Sequence, residues 1–410
     1  MTTQPPVSVQ DGRPPTIARP PVLALVAVSA LSPFAINAVV PSMPAIEQAF
    51  NTNYARVQLI LSLFLAAIAV SQIVIGPLSD RFGRRPVLLV GFFFFTIACI
   101  ASPFAPSIDA LIAIRIVQGA TGCVGIVLGR AIVRDLFERR QAASMLGYVT
   151  MGLAVAPMLA PSIGGQLQEY FDWRAIFWFM AVLGLGCLAV TWRYVPETNW
   201  HRTSSLSFGT MFVDFGKLLR SSEFLLFTAS SSLATGVFFA FLGGAPFVSE
   251  RMLHLSPGVY GIWFAVAPVG YAAGNFIAGR FTEHLGVARM ILAGSFLAFI
   301  AASLPGLFFV LGQLGAATLF LPMMLIGLAN GIALPSAISG AISVHPEIAG
   351  AASGLSGAAQ IGTGAVLSAI AGAALGSGAS PVPMFALMAA AALLGVVVAL
   401  WIYVRNRPTP

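Results

Sequence analysis

Charged side chains are scarce in this chain of 410 residues, at 9% against 58% hydrophobic, so the few that interrupt apolar runs define the chemistry open to it. The densest group is Gly76-Pro77-Leu78-Ser79-Asp80-Arg81-Phe82-Gly83-Arg84-Arg85, set between two runs almost free of charge. Such a cluster cannot lie in hydrocarbon and marks a tight turn at a membrane surface. Gly76 and Gly83 are read as letting two helix ends approach closely and turn sharply. Arg115 falls inside another apolar run, and Arg130 near its end. A charge at mid-membrane costs about 2.5 kcal/mol or more, so Arg115 is expected to face a cavity or a partner. Arg130, Arg134 and Asp135 are better placed to bridge to Asp80 and Arg81 than to touch substrate. Cys99, Cys123 and Cys187 lie in apolar runs with no metal spacing, and the four histidines lie outside those runs or at their ends. No metal site and no cofactor is expected. The dispersal of titratable groups argues against an enzyme.

The elements that position these groups are helices. A soluble domain carries roughly 25% charged residues, so this is an integral membrane protein. The mean hydropathy of +0.90 agrees. The net charge is +7, with Lys217 the one lysine. The arginines are spread over several short loops, which suits anionic lipid and not nucleic acid. Twelve spans are expected at about 20–42, 57–79, 87–104, 108–133, 142–166, 174–196, 222–249, 258–281, 287–311, 315–338, 348–375 and 382–404. Counted on those spans, one side collects most Lys and Arg, and the other takes Arg56, Arg174 and Arg251. Both termini are therefore expected in the cytoplasm. The organisation read from this is a tail at 1–19, a six-helix bundle at 20–196, a linker at 197–221, a second bundle at 222–404 and a tail at 405–410. Within the linker, Phe208, Met211, Phe212, Phe215, Leu218 and Leu219 recur at helical spacing, which suits a short interfacial helix or an ordinary linker.

The two bundles echo each other. Gly279, Glu283 and Gly286 repeat the spacing of Gly76, Asp80 and Gly83. Ile114-Arg115 with Gln118-Gly119 is echoed by Ile326-Gly327 with Asn330-Gly331, and Pro41 by Pro246. A duplicated six-helix unit places a substrate site at the repeat interface.

The loop at 76–85 resembles the one between helices 2 and 3 of the major facilitator superfamily, whose members are secondary transporters. The resemblance implies an all-α fold of twelve transmembrane helices in two pseudo-symmetric six-helix bundles. It makes Gly76, Asp80, Arg81, Gly83, Arg84, Arg85, Arg130, Arg134 and Asp135 a conformational switch that latches the two halves. Arg115 to Gly119 resembles the family's helix-four motif, whose arginine faces the central cavity and takes part in proton coupling. Gly152 with Ala156 to Gly165 resembles its antiporter motif, implying a hinge at Gly152, Pro157, Pro161, Gly164 and Gly165, although Ala160 stands where the pattern has glycine. Small residues there permit close helix packing, and the two prolines allow a bend. Within the family the chain is similar to the Bcr/CflA-type branch that includes bicyclomycin- and chloramphenicol-resistance transporters. That likeness implies drug or multidrug efflux from a bacterial inner membrane, by a monomer, with protons as a coupling ion.

One departure bears on the coupling. The branch usually carries an aspartate where this chain has Asn37, which cannot titrate. No acidic residue lies deep in a span on these boundaries, which leaves Asp109, Asp135 or Glu250 as proton carriers, or weak coupling. A cavity holding Arg115 without a buried acid would favour neutral or anionic substrates. A dedicated exporter of an endogenous neutral or anionic metabolite is the alternative reading. Asn37, Gln72, Gln118, Asn275, Asn330 and Gln360 are candidate polar cavity contacts. Phe34, Tyr148, Met151, Phe238, Phe241 and Tyr271 are candidate apolar walls.

Overall fold

Each long apolar run becomes a helix because backbone in hydrocarbon must bond its own N–H and C=O groups. The structure is a computed structural model that describes residues 20–136, 139–199, 208–376 and 380–405. Within its helices it leaves out the side chains of 139–144, 146–148, 150–155, 158, 208, 210 and 376. The N-terminal half holds α1 (Val22–Ala38), α2 (Met43–Ala49), α3 (Tyr54–Phe82), α4 (Arg84–Ala101), α5 (Ile108–Gly122), α6 (Val124–Leu136), α7 (Arg139–Tyr170) and α8 (Trp173–Tyr194). After α9 (Phe208–Arg220) comes a second set, beginning with α10 (Ser222–Phe247), α11 (Pro257–Phe264), α12 (Val266–Leu285) and α13 (Val287–Val310). It ends with α14 (Ala316–Ser343), α15 (Ala349–Gly376) and α16 (Val382–Arg405). Several helices run on end to end, so that among the described residues eleven stretches are long and apolar enough to cross a membrane. The 32 residues of α7 form the twelfth long helix.

The first span is longer than the sequence suggested. Pro41 and Pro44 do not end it, because each sits in the first turn of a new segment, where no backbone donor is required. A 3-10 turn at Val40–Ser42 links α1 to α2, and the helical path continues to Ala49. Glu47 is thereby carried inside a span, with 7% of its surface exposed. The expected boundary at 42 leaves Glu47 outside the first span, and the helical continuation includes it two residues from the end at Ala49. Pro246, the counterpart of Pro41, also precedes an irregularity, the π-helical turn Val248–Met252.

The repeat is visible in backbone geometry. Gly83 ends α3 at φ 99° and ψ 154°, and Gly286 ends α12 at φ 83° and ψ 154°. Positive φ is a conformation that L side chains adopt only with strain, which accounts for glycine at both sites. Gly119 packs against the Phe64 carbonyl and Gly331 against the Tyr271 carbonyl, so each half brings its helix pair to backbone contact at the same place. Gly76 is different. A Cβ there would meet open space, so the expected close approach at Gly76 is not found.

Leu218 of α9 is fully buried against the C-terminal half while Phe212, Val213 and Leu219 are exposed, with Lys217 and Arg220 in the last turn. The linker is therefore helical over this stretch.

Candidate functional site

The two halves meet along α3 with α15 and along α7 with α11. Two ends of the bundle differ sharply, and are distinguished here as the basic end, which carries Gly83 and Gly286, and the opposite end.

At the opposite end the halves are tied by polar contacts. Glu47 pairs with Arg251 at 2.9 Å. The Tyr54 hydroxyl, 1% exposed, donates to the Gly243 carbonyl at 3.0 Å and its ring lies 5.1 Å from that of Phe247. Gln58 donates to Ser368. The Glu169 carboxylate accepts from the Ser256 hydroxyl and from the Gly258 N–H, each at 2.8 Å, and so satisfies an orphan donor at the start of α11. The Ser162 hydroxyl donates to the Gly261 carbonyl at 2.8 Å.

The stretch resembling an antiporter hinge lies on this seam. Gly164 touches the Ala38 carbonyl of its own half, and Gly165 the Pro257 carbonyl of the other. Gly261 in turn touches the Pro161 carbonyl. Pro157 and Pro161 both sit inside the continuous α7. Small residues thus hold three backbones together here, where any Cβ at Gly164 or Gly165 would force them apart. Gly152 lies in α7, but contacts at it fall outside the described residues.

The switch cluster at the basic end closes on itself. Arg84 reaches Asp80 one turn back across Gly83, and Asp135 of α6 at 3.2 Å. Its guanidinium also donates to Ser79. Arg84 is the hub of these contacts, while Arg81 is exposed and lies over the ring of Phe82 at 5.2 Å. Arg85 donates to the Trp192 carbonyl at 2.7 Å and stacks over its ring. The partners named here all belong to the N-terminal half, so these contacts brace that half.

Three residues omitted from the expected switch hold it together. Glu197 accepts from the backbone N–H groups of Arg84 at 2.9 Å and Arg85 at 3.3 Å, capping the N-terminus of α4 with a carboxylate. Thr198 donates to Asp135 at 2.9 Å. Asn199 donates to the Asp80 carbonyl at 2.8 Å and the Ser79 carbonyl at 3.3 Å, closing the C-terminus of α3. The signal available in sequence was the triplet Pro196-Glu197-Thr198 itself, which a helix N-terminus over a hundred positions away completes.

Arg130 and Arg134 stand outside that cluster. Val124, Gly125, Leu128, Gly129, Ala131, Ile132 and Val133 form the buried face of α6, while Arg130 and Arg134, one turn apart, are exposed on the other. That other face looks across the divide. Gly350 of α15 lies beside the Arg134 guanidinium.

Arg115 is not in a cavity. It has no exposed surface and is enclosed by α1, α3 and α5. Its guanidinium donates to Gln118 Oε1 at 2.7 Å, to the Ala35 carbonyl at 3.3 Å and to the Ile60 carbonyl at 3.4 Å, and lies 3.8 Å from the centre of the Phe64 ring. Gln118 passes the chain on to Ser102 at 2.9 Å. Hydrogen bonds and a π face here replace the acid that a buried cation would otherwise need. The cavity role expected for Arg115 and Gln118 is corrected to a brace within the N-terminal half.

Other candidate lining residues divide in the same way. Asn37, 3% exposed, donates to the Pro33 carbonyl of its own helix at 2.8 Å. Asn330, 6% exposed, donates to the Ala234 carbonyl inside the C-terminal half, and Phe241 is wholly buried against Phe264 and Phe320. Phe34 packs on Phe179. These are enclosed packing groups. Gln72 lies beside Gly357 of the opposite half. Tyr271 and Asn275 share one face of α12 and are partly exposed, as are Phe238 and Gln360. Tyr148 and Met151 lie outside the residues whose side chains are described. Asp109 is bound bidentately by Arg56 at 2.7 and 2.8 Å on the exposed opposite end, and Asp135 is held by Arg84 and Thr198. Among the described residues no group of three or more His, Cys, Asp or Glu could hold a metal ion.

Two matched helical sets, tied to each other by polar contacts at one end, define the class as a polytopic helical membrane protein. The model of the Major Facilitator Superfamily matches residues 25–253 and 245–410, and the chain belongs to that family. It is 32% identical over 360 residues to Multidrug resistance protein D of Escherichia coli, spanning 85% of this chain and 87% of that protein. It is 28% identical to the Bicyclomycin resistance protein homolog of Haemophilus influenzae, over 84% of this chain and 87% of that one. Among solved structures, the nucleoside transporter NupG superposes with a TM-score of 0.74 at 13% identity, covering 94% of this chain and all of the other, a likeness of fold alone.

Proposed function

We propose that this chain is a secondary exporter of small molecules that works by alternating access. The carrying observation is the asymmetry of the seam: Glu47–Arg251, Tyr54–Gly243 and Glu169–Gly258 tie the halves at the opposite end. At the basic end Arg84 pairs with Asp80 and Asp135, both of its own half. The bias of Lys and Arg toward the basic end supports its assignment to the cytoplasm of a bacterial cell, with both termini there. The conformation is then open inward and shut outward. Efflux of drugs is supported by the names of the relatives. Arg130, exposed between the halves, favours neutral or anionic cargo over lipophilic cations and keeps open a dedicated exporter of an anionic metabolite.

Asn37 does not titrate, so proton coupling runs through another group. Glu47 is a buried acid at the seam, and it exchanges Arg251 for a proton as the opposite end opens.

The test is flux of bicyclomycin and of an amphiphilic anion in proteoliposomes under an imposed pH gradient, comparing the native chain with Asn37→Asp. Export is expected for the native chain, with steeper dependence on the gradient in the variant. Absence of protein-dependent flux for every compound tried, or gradient-driven flux of viologen dications, contradicts this reading.

A further inference from the structure

We propose that Gln58, with Tyr54 beside it, is a binding site for an uncharged amide group of the transported molecule, folded shut against Ser368 while the opposite end is closed. The inference rests on the transport reading and names the substrate chemistry that the gate would select.

Tyr54 and Gln58 stand one turn apart on α3 and so share a face. They are 1% and 0% exposed, and both reach into the other half. The Tyr54 hydroxyl donates to the Gly243 carbonyl of α10, and Gln58 Nε2 donates to the Ser368 hydroxyl of α15. Two glycines make the slot that the amide enters. A Cβ on Gly372 would overlap Gln58 Cγ, and one on Gly243 would fall 2.9 Å from its Nε2. Gln58 is therefore a peg from one half seated in a two-glycine hole of the other. Among the described residues nothing donates to its Oε1.

Glutamine is a costly choice for a seal. The same stretches of α3 and α15 bury Val57, Leu61, Ala371 and Leu375. A buried amide is unfavourable unless both its ends are bonded, and methionine would fill the slot without that penalty. The advantage of the amide appears on opening. Baring an aliphatic side chain to water would bias the gate toward its shut form by about tenfold or more. Exchanging one hydrogen bond for another biases it by about two- to tenfold. The amide keeps the halves separable.

It also fixes what the opened gate can hold. Separation bares the Tyr54 hydroxyl and the Gln58 amide on α3, and the Ser368 hydroxyl and Gly243 carbonyl on the other half. All four are uncharged. Of these, the carboxamide presents a donor and an acceptor side by side. That edge matches a lactam or primary amide, whose N–H and C=O pair with it through two parallel hydrogen bonds. The Tyr54 hydroxyl, one turn away, can donate to a second acceptor on the same molecule. Such a cargo replaces the Ser368 contact and supplies a donor to Oε1. It binds the open gate better than the shut one and draws the equilibrium toward opening.

The test uses the purified full-length chain in lipid nanodiscs, with a cysteine introduced at Ser249, which is 1% exposed at the same end. Its labelling by a membrane-impermeant maleimide reports opening. Two uncharged probes share one aromatic frame: 2-quinolinone has a lactam N–H, and 1-methyl-2-quinolinone lacks it. The first is expected to speed labelling about threefold or more over the second. Gln58→Met removes that difference and slows labelling without probe, because an apolar peg holds the slot more firmly. Ser368→Ala keeps the difference and speeds labelling without probe, because the amide remains and its shut-state partner is gone. A residue that only seals would behave otherwise: Gln58→Met would speed labelling and the two probes would act alike. Equal effects of the probes on the native chain, no effect of either, or a difference that survives Gln58→Met overturns the site. Should Gln58→Met misfold, loss of the difference in Ser368→Ala overturns it. The expected probe difference without bicyclomycin flux in proteoliposomes leaves the site standing and sinks the export reading, and flux with the two probes alike does the reverse.

Discussion

Glu47 and Arg251 lie 2.9 Å apart, and they join two helical sets that the sequence separates by more than two hundred positions. The carboxylate side chain is 9% exposed and the guanidinium 47%. The pair is therefore neither a solvated surface contact nor a fully enclosed one. It sits where the halves must part if the opposite end is to open.

Glu47→Gln is expected to loosen that end without unfolding the protein. The amide keeps the shape and loses the charge, and a partly exposed ion pair contributes about 1 kcal/mol, or roughly a fivefold change in the ratio of shut to open forms. Accessibility of a cysteine introduced at Ser249, which is 1% exposed, to a membrane-impermeant maleimide reports the change. The native thiols Cys99, Cys123 and Cys187 are buried and give a quiet background. No increase in labelling sinks the latch role of this pair.

Arg115→Ala is expected to lower thermal stability by several degrees, because it strands Gln118 and two helical carbonyls inside the N-terminal half. Lysine should rescue little, since it cannot reproduce the planar fork over Phe64. Scanning fluorimetry of the purified variants checks this. Native stability with a changed substrate range would instead restore the cavity role that the structure removes.

Gly76 and Gly83 should part company on substitution. Gly83→Ala forces an L residue to φ 99° and is expected to cost about 1–2 kcal/mol. Gly76→Ala meets open space inside α3 and is expected to be neutral or to gain about 0.5–1 kcal/mol from helix propensity. Unfolding midpoints of the two variants give the comparison. A larger loss at Gly76 would contradict the packing described.

Glu197→Gln is expected to weaken the capping of α4, at a cost of about 1 kcal/mol, by exchanging a carboxylate for an amide beside the Arg84 and Arg85 N–H groups. Transport rate should change with binding affinity held, as befits a group that braces a moving part. An unchanged rate with unchanged stability would remove Glu197 from the switch.

Helix number, the repeat and the charged turn were legible in the sequence because each rests on a local physical rule. Hydrocarbon demands long uncharged helices, and a positive-φ turn demands glycine at Gly83 and again at Gly286. What stayed hidden depends on long-range geometry. Glu47 falls beyond the expected first span at 20–42, and only a 3-10 turn that re-enters the helix carries it inward. Arg115 and Arg130 look alike as arginines on one span. Surface exposure separates them, since one is enclosed by α1 and α3 and the other is exposed on the face whose Arg134 lies beside Gly350 of the second helical set. Glu197 and Glu169 each cap a helix far away in sequence, which no local pattern announces.

The account turns on the two ends moving in opposition. Spin labels at Asn53 and His254 report the end held by Glu47, and labels at Phe82 and Leu285 report the end bearing the Arg84 cluster; all four positions are exposed or sit at exposed turns. Pulsed electron–electron distances in lipid nanodiscs, with the native chain and with Glu47→Gln, should lengthen for the first pair and shorten for the second as the charge is removed. Two distances that stay fixed, or that lengthen together, would contradict a rocking exporter and leave these helices without the mechanism assigned to them.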